Sequence, residues 1–363
     1  MAIGTIRFWA AARAAAGVAE EPYDAQTLAE ALAGARARHD EALAKVLDRC
    51  SFVVDDAPVG GRPHESVLLT DDGSVEVLPP FAGGSEPLTE SVGPAPAPVP
   101  RSAATLAGVA AGLTAAALAG LALLGIGPLA GGVFVVQVVI ALAWLAALDV
   151  PNGGGPFVII VATAGVIDAV VGSESEPDIG RAAGVAGVAV VVALLYQLAR
   201  RPRVDVTLSF GGTVSGVAFA LCAASYISLR VESGGDFADA AALLGVGAAL
   251  AAARLVDLAL PHPVAVPGSR RGVAGLVVGV GAGVLAGWAY GSSCAELGAD
   301  HAIRLALVAA VIALVADLAI DAVLAGAPPA DDRSRAALPP LGILLPVVLA
   351  GPAAYVAGRI LLG

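Results

Sequence analysis

Val75-Glu76-Val77-Leu78-Pro79-Pro80-Phe81-Ala82-Gly83-Gly84 decides how the N-terminal part of this chain is read. Val75 to Leu78 alternates in character, as a half-buried strand does. Pro79-Pro80 must end that strand, because proline fixes φ and has no N–H to give to a ladder. Two glycines, without side chains, then close a short soluble domain. The chain does not stop there. Ser85 follows, and the sequence continues to Gly363, mostly apolar enough for a bilayer. The carboxylate of Gly84 is therefore held in a peptide bond.

Outward from this stretch, the head reads as strands around a helix. Residues 2–10 alternate, with Ile3, Thr5 and Phe8 among small and charged residues, and predict a strand. Residues 11–17 read as a loop of small residues, and 20–24 as a second strand. Thr27 starts a helix, with Glu30 three positions on as a capping box. Leu28, Leu32, Ala35, Ala42, Ala44 and Leu47 give one continuous apolar stripe. Residues 51–55 are a β-branched strand, and Asp72-Gly73 is a turn into the last one. The order ββαββ within the first 84 residues predicts an α+β, β-grasp head in which non-sequential strands pair and the helix covers one face of the sheet. Cys50 has no Cys-x-x-Cys partner and reads as a buried small hydrophobe.

Specific residues carry a family resemblance. Arg7-Phe8-Trp9-Ala10-Ala11-Ala12-Arg13 with Ala16-Gly17, Cys50-Ser51-Phe52-Val53-Val54-Asp55, and the closing run from Asp72 to Gly84 resemble the MoaD/ThiS family of ubiquitin-like sulfur carriers. The resemblance covers residues 1–84. It implies that the tail threads into the active site of a ThiF/MoeB-like adenylating enzyme, and that this enzyme uses the ATP while the carrier itself binds no cofactor. It also implies a MoaE-like synthase subunit as a further partner. Gly84 would bear the sulfur as a thiocarboxylate, and Gly83 would be the slender approach. Pro80 and Phe81, with Phe52, would belong to the docking face. The head would be a carrier with no catalytic residue of its own, and Ser85 departs from the family pattern by following Gly84.

Composition separates the rest of the chain from the head. The whole is 58% hydrophobic and 14% charged, with a net charge of −11. That charge argues against nucleic acid as a partner, which calls for a basic face. Residues 85–101 are a proline-rich, extended linker, accessible to a protease. Residues 102–363 read as an all-α transmembrane domain of about nine spans in contact with membrane lipid: 104–125, 128–148, 156–172, 182–199, 211–229, 237–260, 272–291, 302–325 and 339–361. The ninth is interrupted by Pro346 and Pro352, and eight spans is the alternative count. Met1 leads into Ile3, Ile6 and Phe8 without a charged n-region, so no signal peptide is expected. Arg200, Arg201 and Arg203, then Arg270 and Arg271, then Arg333 and Arg335 fall on one side of a nine-span arrangement. Alternate loops carry Glu174 and Glu176, Glu232 and Asp236, Glu296 and Asp300. The positive-inside rule makes the arginine side cytoplasmic, and Arg101 places the head there too.

Ionisable residues inside spans are costly and mark candidate sites. Asp168 lies in the third span, and Arg254 and Asp257 near the inner end of the sixth. Asp317 and Asp321 stand at i, i+4 on the eighth. Arg254 can neutralise one of these aspartates, or the two aspartates of the eighth span can hold a divalent cation. His262 and His301 read as lone loop residues, and the three cysteines, Cys50, Cys222 and Cys294, have no metal-ligand spacing. No metal site is expected. Gly275, Gly279, Gly283 and Gly287, four apart on the seventh span, form a smooth stripe for close helix packing. A transporter, or another membrane protein whose head is a docking module, is the functional alternative to a carrier.

Overall fold

The computed structural model describes residues 2–39, 41–55, 57–79, 101–173, 179–201, 205–266, 269, 271–326 and 332–362. The chain divides into two compact units, a β-grasp head and a helical domain. In the head, β1 (Ala2–Phe8), β2 (Glu20–Ala25), β3 (Ser51–Val54), β4 (Ala57–Pro58) and β5 (Ser74–Leu78) form one mixed sheet in the order β2-β1-β5-β3-β4. The last strand is central. It runs parallel to β1, with Ile6 opposite Val75 and Phe8 opposite Val77. On its other side it runs antiparallel to β3, with Phe52 opposite Val77 and Val54 opposite Val75. The period of two therefore turns Ile6, Phe8, Phe52, Val54, Val75 and Val77 to one face. All six are buried in a core shared with Leu28, Leu32 and Leu47.

The helical cover differs from the sequence reading in two places. Residues 11–17 are not a loop: α1 spans Ala10–Ala16. Alanine is the strongest helix former, and Gly17 closes the turn in the left-handed region (φ 72°), donating its N–H to the Arg13 carbonyl. The long helix is two helices, α2 (Leu28–Arg38) and α3 (Glu41–Leu47). His39 is extended between them, and its imidazole lies 2.7 Å from Glu21 Oε2 on β2. Leu43 rather than Ala44 fills the core after the break, and the side chain of Ala42 lies outside the described residues. The edge strand β4 and a 3-10 turn at His64–Ser66 were not expected.

The cap at Thr27 is as read. Thr27 Oγ1 accepts from Glu30 N at 3.3 Å. The return bond reaches one residue further than a standard capping box, with Gln26 N donating to Glu30 Oε2 at 2.8 Å. Thr27→Ala is expected to cost the head about 1 kcal/mol. Urea unfolding of the head, read by circular dichroism, checks this; an unchanged midpoint would mean the cap contributes nothing.

The helical domain comprises α4 (Arg101–Leu124), α5 (Ile126–Ala147), α6 (Gly154–Gly172), α7 (Ile179–Ala199), α8 (Val206–Val231), α9 (Gly235–Ala259), α10 (Val273–Ser293), α11 (Ala299–Gly326), α12 (Asp332–Leu349) and α13 (Gly351–Leu362). Among the described residues, nine segments are long and apolar enough to cross a membrane, and they coincide with the nine expected spans. The ninth, Ser334–Leu362, is made of α12 and α13. The helix breaks at Ala350 because Pro352 lacks the N–H that would bond the Val348 carbonyl. α9 packs against α4, α8, α10, α11, α12 and α13, and is the axis of the bundle.

Candidate functional site

The first candidate is the exit of the head's tail. β5 receives ladder bonds on both edges and ends at Leu78, with Pro79 buried after it. Trp9 N donates to Val77 O at 3.2 Å, which ties the end of β1 to the last turn of the exit. The Trp9 side chain is 51% exposed beside it. Pro80, Phe81, Gly83 and Gly84, and the linker, lie outside the described residues. Phe52, expected on the docking face, is instead buried, with its ring edge-on to His64 at 5.0 Å between centroids. The alternation of β3 turns it inward. Cys50 is half-buried and packs against the core, and its thiol donates to Val46 O at 3.1 Å. Burial pushes that thiol up to about 11, so it is protonated and inert at neutral pH.

Residues 6–84 match the ThiS family. The match runs from the middle of β1 to the second glycine of the tail. Among solved structures, the solution structure of small archaeal modifier protein 1 (SAMP1) from Methanosarcina acetivorans is similar at 21% identity over 23% of this chain and 98% of that one, with a TM-score of 0.22. Comparison with curated proteins gives no match. The ThiS-type head is thus joined to a helical region with nine long apolar segments among its described residues.

The second candidate is a buried charge network at one end of the helical domain. Arg254, on α9, and Asp317, on α11, are each 2% exposed and meet at 2.7 Å. Arg254 also donates to the carbonyls of Ala107 on α4, at 2.9 Å, and Gly342 on α12. One guanidinium thus joins four helices. Asp317 is shared with a second arginine that the sequence reading left in a loop: Arg271 Nε lies 2.8 Å from Asp317 Oδ2, and Arg271 Nη2 donates to Oδ1 at 3.0 Å. Arg271 reaches Asp257 as well, at 3.8 Å, and Asp257 accepts from Gly272 N at 3.0 Å. Asp321 accepts from Ser269 Oγ at 3.0 Å, and the same hydroxyl accepts from Arg271 N.

The four residues singled out in the sequence are therefore brought together, with Arg271 and Ser269 added. Their arrangement is an ion-pair network. Guanidinium nitrogens lie against both oxygens of Asp317, so it faces arginines rather than sharing a cation with Asp321. The only signal for Arg271 was its position immediately before an apolar segment, where a side chain can fold back over the helix end.

The glycine stripe of α10 sets how closely this end can pack. Gly275, Gly279, Gly283 and Gly287 are all buried, and Gly291 extends the row. A Cβ on Gly275 would strike the Asp257 carboxylate and the Ala253 carbonyl; one on Gly283 would strike Ala310. The stripe is a packing surface against α9 and α11. His301, expected in a loop, lies on α11, its Nδ1 3.1 Å from Leu297 O. Elsewhere in the helical domain, Gln137 Nε2 donates to Asp168 Oδ1 and to Ala220 O, both at 3.0 Å.

Proposed function

We propose that this chain is a membrane-anchored sulfur-carrier protein, and that its head acts as a carrier once the Gly84–Ser85 bond is cut. The observation that carries the reading is the family match, which extends through both tail glycines. A carrier needs a terminal carboxylate that a ThiF/MoeB-like enzyme can adenylate with ATP and convert to a thiocarboxylate. In the uncut chain the Gly84 carbonyl is an amide and offers no oxygen to attack the α-phosphorus. Cleavage supplies that oxygen and frees the head from the bilayer. The sulfur would then pass, through a MoaE-like synthase subunit or its counterpart, to a molybdopterin-type or thiamine-type cofactor. Pro80 and Phe81 would sit against the activating enzyme as the tail enters its channel. The chemistry belongs to the partners, and the chain itself binds no cofactor.

Complementation tests the function and the pathway together. Residues 1–84, expressed in cells lacking their own carrier, should restore synthesis of one of the two cofactors. The full chain carrying Ser85→Pro, a poor site for proteolysis, should not. Equal rescue by both forms would contradict the requirement for a free tail.

The same reading places the head in the cytoplasm, where adenylating enzymes and ATP reside. The arginines that flank the fourth, seventh and eighth spans support this orientation. A cytoplasm-only reporter should be active when fused at Gly84 and silent at Gly363. Activity at both ends would require an even number of spans. A second reading, in which the head is a docking module of a transporter, draws on the four-helix charge network around Arg254. Failure of complementation with a folded head would favour it.

A further inference from the structure

Among the described residues, three aspartates of the helical domain are buried: Asp168, Asp239 and Asp317. Two have donors, since Gln137 serves Asp168 and arginines serve Asp317. Asp239 does not. It is 0% exposed, and neither carboxyl oxygen has a hydrogen-bond partner among the described residues. Ser228, near the end of the preceding helix α8, likewise buries a hydroxyl without a partner. A bare carboxylate without a donor at such a position is strongly disfavoured, whereas a carboxylic acid carries no charge to compensate.

The surroundings give a way in. Asp236 stands three residues before Asp239 on α9, hence on the same face and one turn nearer the helix end. It is half-buried and 3.9 Å from Arg230. Arg230 Nε in turn donates to Ala122 O on α4. From α8, Tyr226 also lies close enough to feel the charge of Asp239, but its hydroxyl is committed to Val347 O at 2.7 Å. α10 brings Tyr290, and α13 brings Arg359, which is paired with Glu232 at 3.2 Å and set over the ring of Tyr355. The first turns of α11 carry Asp300, His301 and Arg304. The part of α4 from Ala111 to Leu124 has no ionisable side chain. Arg230 and Arg359 thus have other oxygen partners, and neither hydrogen-bonds Asp239.

We propose that Asp239 is a proton-binding site of the helical domain, loaded from its own end of the bundle by way of Asp236. Loading moves one proton from hydronium, or from the Asp236 carboxyl, to one Oδ of Asp239; unloading returns it to water, and no electron moves. The site lies at the end of α9 opposite Arg254, so the axial helix carries a proton-exchanging acid at one end and a locked ion pair at the other. Proton binding here is independent of the carrier chemistry of the head.

The full chain in lipid vesicles, treated with the apolar reagent dicyclohexylcarbodiimide, tests this. The reagent adds to protonated carboxyls in apolar surroundings, and peptide mass spectrometry locates the adduct. The expected result, in separate portions each brought to its pH before the reagent is added, is labelling of Asp239 that falls as the pH is raised and recovers in portions re-acidified before labelling. Asp236→Asn should slow both changes, and Asp239→Asn should abolish the modified peptide. The wild-type pH series decides even if a variant misfolds. An Asp239 that never reacts, or that reacts equally at every pH, would overturn the proposal. Protection by sodium at constant pH would overturn it in favour of a cation site, and unchanged rates in Asp236→Asn would remove the entry route.

Discussion

Residues 1–84 with a free Gly84 carboxylate are expected to support ATP–pyrophosphate exchange with a ThiF/MoeB-like enzyme of the host, and the full chain to support none. The contrast should be all-or-none, because the reacting oxygen exists only in the released form. The head should survive on its own, since 19 buried hydrophobic residues among those described form a cluster of their own. The tail chemistry adds a second contrast. Gly83→Val places a branched side chain where a channel must close around bare backbone, and it should abolish exchange while leaving the fold unchanged. Equal exchange by the Gly83→Val head would mean that the tail does not thread a narrow channel. A folded head inactive with every activating enzyme of the host would leave it a docking domain.

The second large effect concerns the charge network. Arg254→Leu is expected to destabilise the helical domain by about 3–5 kcal/mol, the usual cost of removing one partner of a buried ion pair. Arg271 tempers this loss, because Asp317 keeps a guanidinium at 2.8 Å. Removing the aspartate is worse: Asp317→Leu would leave Arg254 buried with only carbonyl acceptors on α4 and α12. The expected order is therefore Asp317→Leu more damaging than Arg254→Leu. Asp317→Asn should recover part of the Arg254→Leu loss in a double-mutant cycle, with a coupling of about 0.5–3 kcal/mol. Unfolding in mixed detergent micelles measures all of these. Strictly additive losses would mean that the 2.7 Å contact contributes no stability.

Much of this was legible because the signals were periodic. The alternation of Val75–Leu78 and the proline pair placed the last strand, and apolar blocks of bilayer length placed the nine long apolar segments found among the described residues. Thr27 and Glu30 fixed the start of α2 because a cap is local chemistry. What the sequence hid was tertiary. α1 is built from alanines, whose small size reads equally well as loop. The break after Arg38 leaves His39 extended with its imidazole against Glu21 of β2, a contact between residues far apart in the sequence. Phe52 was misplaced on a docking face although the period of its own strand, shared with Val54, turns it inward.

Within the bundle, Arg254 and Asp317 were recognisable as a candidate pair, since an unpaired charge is costly at that depth. Arg271 was not, because a loop arginine that folds back onto a helix end looks like any other. Asp239 was missed for a related reason. It is the third residue of the expected span 237–260, so close to Glu232 and Asp236 that it reads as part of the helix's solvated end, and the packing of α9 at the centre of the bundle shows it buried, with no donor among the described residues.

The central claim is that the head works with a free Gly84, and the intact mass of the head in cells tests it most directly. Immunoprecipitation through an N-terminal epitope, followed by intact mass spectrometry, should find a soluble species ending at Gly84. A fraction of it should have one carboxylate oxygen replaced by sulfur. Finding only the full-length chain, or fragments ending at residues other than Gly84, would contradict the carrier reading.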